Sequence, residues 1–503
     1  MSALFLSGGH MKLRMIAAGA ALMAGSLASA APVLAPPAQP GPEVQPFVSV
    51  PAGRVALTHV GVIDGTGAAP VEDATVLIDG PKIAAVQPGS AAVPAGYRTI
   101  DLTGASVIPG IVGMHNHMFY IARPNIDASG HFEDPLVVPQ MTFSAPRLYL
   151  ANGVTTMRTT GSVEPYADLN VKAEIDAGRM TGPHMDVTGP YLEGPNSPFI
   201  QMHQLTGPED ARRTVAFWAD QGVTSFKAYM NITRAELKAA IDEAHRRHLK
   251  ITGHLCSVTY PEAAELGIDD LEHGFFVNTQ LDPGKKLDVC PNTSGTPTLI
   301  AMKPGSPEAN ALIKLLVDRH VAVTSTLPVF EQSLALHAPL NPKAMAVLTP
   351  EAKESYLYLR NLAATRGPTE RGQAFAEAYR NDLGLERQFV AAGGLLLAGP
   401  DPTGNGGVIP GFGDQRELEL LVEAGFSPLE AIRIGTLNGA IFMGLQDRIG
   451  SIAAGKDADL VVIRGNPAAN INDVEKVETV FKDGVGYDSA KLLDSVKGRY
   501  GQY

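Results

Sequence analysis

The sequence predicts an α/β protein in which a (β/α)8 TIM barrel carries a small β-sandwich domain. First, short apolar runs that end in polar residues alternate with helical patterns through the centre of the chain, which is typical of parallel βαβ units. Second, eight such runs occur, the number that builds a barrel. Third, both flanks of this region are rich in short strands without helical periodicity. We therefore expect the two flanks to form one sheet domain together.

The N-terminus has the three parts of a secretory signal peptide. A short basic stretch precedes the apolar run 15–27, and Ala-Ser-Ala at 28–30 matches a cleavage site. We expect cleavage near Ala30 and a secreted or periplasmic protein. Either Met1 or Met11 is the start, because residues 1–10 add nothing to the signal.

The rest of the chain divides into a linker and two predicted domains. Residues 31–48 are rich in proline and are predicted to form an extended linker. Residues 49–105 and 445–490 form the predicted β-sandwich domain, and residues 106–444 form the barrel, which binds metal. The long connection 329–393 is predicted to add helices over the barrel mouth. The predicted barrel strands are 106–117, 153–160, 183–192, 222–230, 250–257, 269–276, 321–328 and 394–403.

Composition excludes several classes of protein. Forty basic residues against 52 acidic ones give a net charge of −12 over 503 residues, which argues against nucleic acid or an anionic membrane as a partner. Once the signal is removed, no apolar run reaches the roughly 20 residues of a membrane span. Two cysteines cannot build a disulfide framework. Cys256 and Cys290 form one disulfide after export or stay as two buried thiols, and the sequence leaves both open.

Metal-binding side chains stand at the ends of five predicted strands. His115 and His117 close the first strand, and strand alternation places both imidazoles on one side. Each candidate alone has a structural explanation, such as a solvent-facing or backbone-bonded histidine. Coincidence of all six at strand ends is improbable, and the carboxyl ends of barrel strands are where active sites form. The other four candidates are Lys227, His254, His273 and Asp401 on the fourth, fifth, sixth and eighth strands.

This set, in this order on these strands, resembles the amidohydrolase superfamily. The resemblance extends to Val107-Ile108-Pro109-Gly110 before the first histidine and to Gly153-Val154-Thr155-Thr156 on the second strand. It continues through the return into the flanking sheet near 449–460 and covers roughly residues 53–484. The sequence is most similar to the binuclear branch that includes prolidase-like, imidazolonepropionase-like and ochratoxin-hydrolysing enzymes.

The resemblance implies a metal centre and a reaction. His115, His117 and Asp401 would hold the first divalent ion, His254 and His273 the second, and Lys227, carboxylated by carbon dioxide, would bridge them. Zinc suits this nitrogen and oxygen ligand set, and iron, manganese or cobalt could also occupy it. A metal-bridging hydroxide would attack the substrate carbonyl. Asp401 would take the proton of the water and pass it to the leaving nitrogen.

We therefore expect a secreted hydrolase that cleaves an amide bond in a small peptide-like or N-acyl substrate. The alternative is a cyclic amide hydrolase or ring deaminase that uses one metal ion, which would not need the bridging lysine. A non-catalytic binding protein on the same scaffold is less favoured, because it need not keep all six ligands. The sequence is compatible with a homo-oligomer and does not define its size.

Two further residues are candidates for substrate contact. Relatives usually carry Arg-Asp at the end of the second strand, whereas this chain has Arg158 followed by Thr159. Arg158 pairs with a substrate carboxylate or takes part in an internal ion pair, and both alternatives stay open. Tyr229 lies two residues after Lys227 and should face the same way, so it contacts substrate or packs in the core.

Overall fold

The computed structural model describes residues 33–121, 136, 138–197, 199–293, 295–403 and 408–501. The predicted signal peptide lies outside these residues. Within the described part of the chain, no helix is both long enough and apolar enough to cross a membrane.

Seventeen strands and fifteen α-helices are present in the described residues. The strands are β1 (Val48–Val50), β2 (Arg54–Val62), β3 (Val71–Asp79), β4 (Lys82–Pro88), β5 (Arg98–Asp101), β6 (Ser106–Pro109), β7 (Ile111–Asn116), β8 (Val154–Thr159), β9 (His184–Val187), β10 (Ser225–Ala228), β11 (Lys250–Gly253), β12 (Asp270–Glu272), β13 (Ala322–Ser325), β14 (Leu396–Ala398), β15 (Leu460–Ile463), β16 (Val477–Lys482) and β17 (Val485–Asp488). The helices are α1 (Ala145–Ala151), α2 (Pro165–Asp176), α3 (Pro208–Asp220), α4 (Arg234–Arg246), α5 (Tyr260–Leu266), α6 (Thr296–Ala301), α7 (Pro307–Asp318), α8 (Leu327–Glu331), α9 (Pro342–Val347), α10 (Pro350–Arg366), α11 (Glu370–Ala391), α12 (Phe412–Glu423), α13 (Pro428–Arg433), α14 (Gly439–Phe442) and α15 (Ser489–Ser495).

The central strands run parallel in two sheets, β7-β8-β9 and β10-β11-β12-β13-β14. Each predicted barrel strand contains one of them at its core. Parallel bridges between Thr188 and Ser225 and between Leu192 and Ala228 join the two sheets on one side. On the other side, the Asp401 amide donates to the His115 carbonyl at 3.1 Å. Closure of all eight strands into one barrel stays a prediction that these bonds favour.

The first predicted strand, 106–117, is two strands that part at Gly110. The upstream strand, β6, pairs with β15 and β2, whereas β7 pairs with β8. A Cβ at Gly110 would lie only 2.0 Å from Thr155 Oγ1, so only glycine allows the chain to cross here. This crossing fixes the start of β7, the strand that contains the first predicted metal ligand, His115.

Both flanks of the chain build one nine-stranded sheet, as predicted. Its order is β1-β17-β16-β15-β6-β2-β3-β4, with β5 paired to β2. The antiparallel pair β6–β15, from Ser106↔Ile463 to Pro109↔Leu460, joins the N-terminal half to the C-terminal half. Folding of this sheet into a sandwich stays a prediction.

The described part of the proline-rich segment is packed on the protein, which corrects its interpretation as a linker. Leu34 is buried against strand residues such as Val112 and Leu397. The Lys172 amine donates to the Val33 carbonyl at 3.2 Å. Proline removes backbone hydrogen-bond donors but does not prevent neighbouring side chains from packing. The composition of the segment alone therefore did not indicate this packing.

The predicted helices are present and have ordinary start signals. The patterns 207–221 and 233–248 correspond to α3 and α4, and Thr233 and Glu236 form a capping box at the start of α4. The connection 329–393 carries the additional helices α9, α10 and α11, as predicted.

A disulfide joins Cys256 and Cys290, whose Cα atoms lie 4.8 Å apart. Of the two alternatives that the sequence left open, this is therefore the one that the structure contains. Cys256 follows β11, and the 34-residue separation encloses β12 and the residue after it, His273. The bond therefore ties together the segments that carry two predicted metal ligands.

We expect the Cys256→Ser/Cys290→Ser variant to lose stability, because the disulfide restricts the unfolded chain. A loop of this length corresponds to about 3–4 kcal/mol of unfolding free energy. Urea unfolding of the variant and the oxidised wild type should show a lower midpoint for the variant. Equal midpoints would contradict a stabilising role for this bond.

Candidate metal centre

The six predicted ligands lie at or just beyond the carboxyl ends of five parallel strands. His115 is in β7, His117 directly follows Asn116 at its end, and Lys227 is in β10. His254 and His273 are the residues after β11 and β12. Asp401 lies three residues after β14. All six fall at one end of the two sheets, because parallel strands share the same polarity.

Short distances connect these side chains. Asp401 Oδ1 lies 2.9 Å from His117 Nε2 and 3.6 Å from His115 Nε2. The Lys227 amine donates to His115 Nε2 at 3.0 Å. The predicted ligands of the first metal and the predicted bridging lysine are therefore in direct contact.

The two remaining histidines complete the cluster. The ring centroids of His254 and His273 are 4.4 Å apart, and those of His115 and His273 are 4.6 Å apart. Ligand atoms of His115, His273 and Asp401 all lie within 4.8 Å of one another. The structure thus brings together all six residues that the sequence proposed.

The imidazoles are held in the neutral form that binds metal ions. Burial, together with the nearby Lys227, lowers the pKa of His254 to about 3. Burial is also the main cause that lowers the pKa of the other three histidines, His115, His117 and His273. Burial lowers the pKa of the Lys227 amine to about 8.

Asp401 is the ionised group of the cluster. Burial acts to raise its pKa, but His115 and His117 together hold the pKa of this carboxyl below its ordinary value. A carboxylate surrounded by neutral imidazoles is an oxygen ligand for a divalent ion.

An unpartnered nitrogen atom supports the fit of these residues to a metal ion. In the described structure, His273 Nε2 is buried without a hydrogen-bond partner. Buried polar atoms are rarely left unpaired. The other ring nitrogen of His273, Nδ1, is hydrogen bonded to Thr326 Oγ1 at 2.8 Å, so Nε2 is the atom available for a metal.

Two of the six residues have left-handed backbone conformations. His273 has φ of 71° and Asp401 has φ of 54°, values that non-glycine residues adopt mainly at strained or functional positions. Gly399 allows the second conformation to form next to β7, because a Cβ there would lie 2.2 Å from the His115 amide nitrogen. The chain therefore turns sharply at both strands to bring these ligands inward.

A buried ion-pair network lies beneath the histidines. His115 Nδ1 is hydrogen bonded to Glu272 Oε2 at 2.7 Å, which leaves Nε2 free of its proton and facing Lys227. Arg158 donates to Glu272 Oε1 at 2.9 Å and to Asp270 Oδ2 at 2.6 Å. Glu272 was not proposed from sequence, although its position next to His273 in the alternating pattern of β12 was the available signal.

Arg158, for which the sequence left a substrate contact and an internal ion pair open, does not line the cavity. Its side chain is 1% exposed, and Glu272 and Asp270 raise its pKa against the effect of burial. The guanidinium of Arg158 pairs with two buried carboxylates on β12, so the structure contains the internal ion pair.

A cavity of about 170 Å³ opens onto the cluster. Tyr229 lines it, with its ring 4.9 Å from that of His254 and 4.8 Å from that of Tyr191. Tyr191, which sequence reasoning missed, lies with its ring centroid 5.3 Å from Lys227 Nζ. A role for Tyr229 in substrate binding stays a prediction.

A model of the amidohydrolase family matches residues 106–323 and 408–486, more than half of the chain. The chain belongs to the amidohydrolase family. It is therefore a hydrolase that acts on carbon–nitrogen bonds of the amide type, in a family that is generally metal-dependent.

Individual amidohydrolases are similar along most of the chain. An imidazolonepropionase from Porphyromonas gingivalis is 24% identical over 426 residues, which are 82% of this chain and 86% of the relative. A crystal structure of a Xaa-Pro dipeptidase with bound methionine is 18% identical, with a TM-score of 0.62, and the match covers 87% of this chain and 100% of that one. The ochratoxinase of A. niger is 18% identical, with a TM-score of 0.61, and 86% and 95% of the two chains are covered. These two structures show the shared fold.

We expect Glu272→Gln to weaken metal binding, because the amide no longer orients His115 as a carboxylate does. Loss of such a partner typically reduces metal affinity by about 10–100-fold. Competition with a chelator measures this affinity. The exposed Glu265→Gln is the matched control, and equal affinities of the two variants would contradict the bracing role of Glu272.

A second group of buried carboxyls lies behind the turn that carries His273. Asp382 accepts a hydrogen bond from the Phe275 amide at 2.7 Å, and Glu417 accepts one from the Leu327 amide at 2.9 Å. Burial raises the pKa of Glu417 to about 8 and also raises the pKa of Asp382. At a pH between the ordinary carboxyl pKa and the raised one, these carboxyls are therefore protonated in the folded protein and ionised in the unfolded chain.

This group predicts a pH dependence of stability. A folded pKa above the unfolded value stabilises the protein fully below about pH 4, and this contribution is lost as the pH rises through about 8. Glu417→Gln removes the ionisation, so its thermal midpoint should exceed that of the wild type by about 2 °C or more at pH 9, with less difference at pH 5. The exposed Glu351→Gln should show no such pH-dependent gap, and a gap of the same size in both variants would contradict the assignment.

Proposed function

We propose that the protein is a secreted, metal-dependent amidase that cleaves the amide C–N bond of a peptide-like or N-acyl substrate. The observation that carries this proposal is the convergence of four neutral imidazoles, a buried amine and an ionised carboxylate at one end of a cavity. Unpaired His273 Nε2 within this cluster supports a bound ion over a purely structural cluster.

The proposed ligands divide into two groups. His115, His117 and Asp401 hold the first divalent ion, and His254 and His273 hold the second. Carboxylated Lys227 lies between the groups, a role supported by its contact with His115 Nε2. Its neutral amine adds to carbon dioxide and releases one proton. Nitrogen and oxygen ligands of this kind suit zinc, and bound divalent ions would lower the pKa of water and polarise the substrate carbonyl.

Asp401 performs the proton transfers in the proposed reaction. Its low pKa keeps it ionised, so it accepts a proton from the attacking water and delivers it to the leaving nitrogen. His117 Nε2, at 2.9 Å, orients this carboxylate. Burial of the cluster excludes bulk water, which strengthens these electrostatic interactions.

Secretion and the domain boundaries are part of the same proposal. The Cys256–Cys290 disulfide supports export, since disulfides persist in oxidising compartments. The bridges between the sheets support a closed barrel that begins at β7 and extends to residue 444, and the single sheet from both flanks, which includes β6, supports a separate β domain.

A cyclic amide hydrolase with one metal is the second candidate. The match to an imidazolonepropionase favours it. The buried Lys227 in contact with His115 argues for two metals, because a mononuclear centre does not need a bridging ligand. Metal counting separates the two candidates.

We expect two divalent ions per chain in the purified wild-type protein. The Lys227→Ala variant should bind fewer than two ions per chain and should lose amide hydrolysis. Elemental analysis and a screen of N-acyl amino acids, Xaa-Pro dipeptides and lactams provide the two readouts. The solvent-facing Lys314→Ala, 75% exposed, is the control. One metal per chain with full activity in Lys227→Ala would overturn the binuclear proposal, and full turnover by Asp401→Asn would overturn the assignment of the base.

A further inference from the structure

The cavity has a polar floor and an apolar wall. The floor is the metal cluster, and we define the apolar wall as Phe119, Ile121, Val138, Val163 and Phe199. These five residues pack in one buried cluster, each 9% exposed or less, and all five line the cavity. They come from segments that follow β7, β8 and β9, so three separate connections converge to build the wall.

The apolar wall stands on the Asp401 side of the floor. The Phe119 ring stacks on the His117 ring with centroids 4.4 Å apart, and His117 contacts Asp401. The Ile121 amide donates to the Thr403 carbonyl at 2.8 Å. The wall is thus held next to Asp401 through His117, which contacts that carboxylate, and through Thr403, which lies two residues after it.

The size of the cavity limits what the wall can accommodate. An apolar protein cavity of about 150 Å³ holds one benzene molecule. The cavity here has about 170 Å³. Because this volume also includes the space over the polar floor, the wall accommodates at most one group about the size of a six-membered ring.

The wall also selects for a neutral group. Among the described lining residues, the charged side chains are Lys227 and Asp401, and both belong to the floor. A carboxylate placed against the wall would lose its hydration without gaining a cation, which is strongly unfavourable.

We propose that the apolar wall is the subsite for the leaving amine, and that the substrates are N-acyl derivatives of neutral amines that carry one ring-sized apolar group. This inference rests on the proposed function. Asp401 protonates the leaving nitrogen, so the substituent on that nitrogen lies next to Asp401. The wall is the surface found there.

Three matched amides test this assignment on the metal-loaded protein. N-benzylacetamide carries its ring on the amine, its isomer N-methyl-2-phenylacetamide carries the ring on the acyl group, and N-acetylphenylglycine adds a carboxylate to the amine side. We expect kcat/KM for N-benzylacetamide to exceed both others by about tenfold or more, the discrimination typical of apolar pockets. An equal or higher kcat/KM for either of the others would overturn the subsite.

Variants of the wall provide the second arm. Val163→Trp fills the subsite and should abolish the preference for N-benzylacetamide, whereas Val71→Trp, at a 50% exposed surface valine, should preserve it. Phe199→Ala serves in the same way should Val163→Trp not fold, because it opens the wall and reduces the preference. A preference that survives these wall variants would overturn the subsite.

Binding measurements separate this proposal from the proposed function. Saturation-transfer NMR detects N-benzylacetamide on the protein whether or not it is cleaved. Binding that Val163→Trp abolishes, without any hydrolysis of the three amides, would support the subsite and count against the amidase. Hydrolysis of all three at equal rates would support the amidase and overturn the subsite. Absence of N-benzylacetamide binding and hydrolysis would overturn the subsite.

Discussion

The hydrogen bond between His115 Nδ1 and the buried Glu272 carboxylate is the interaction on which the arrangement of the site depends. It fixes the tautomer of the histidine, so Nε2 faces Lys227 and Asp401. A carboxylate in that position needs a cation, and Arg158 supplies it from β8, a strand of the other central sheet. The bond and its ion pair thereby hold three strands, β7, β8 and β12, in the register that the ligand cluster requires.

The same constraint explains the division of the cavity. Charged groups are concentrated beneath and around the ligands, where each has a partner, while the opposite surface is apolar. Left-handed backbone at His273 and Asp401 turns the ligands toward this boundary between charged and apolar surroundings. The Cys256–Cys290 disulfide and the Asp382 carboxyl, which accepts from the Phe275 amide, anchor the segments on either side of His273.

The ligand set could be predicted from sequence because strand alternation and parallel topology determine where strand-end residues meet. Strand-end position alone made His115, His117, Lys227, His254, His273 and Asp401 candidates, and the resemblance to amidohydrolases supplied their proposed roles as metal ligands. Glu272 and Tyr191 were missed, because their roles depend on which side chains face them across the sheets. Arg158 was left between two roles for the same reason, since a buried arginine is defined by its carboxylate partners. The division into two strands at Gly110 could not be predicted from sequence, because one continuous apolar run contributes strands to two different sheets.

We propose that Lys227 joins two metal ions into one hydrolytic centre. Anomalous diffraction at the zinc edge from crystals of the zinc-loaded protein tests it most directly. We expect two peaks about 3.5–4 Å apart, one beside His117 and Asp401 and one beside His254 and His273, with density for a carboxylate on Lys227 between them. A single peak, together with an unmodified Lys227, would contradict it.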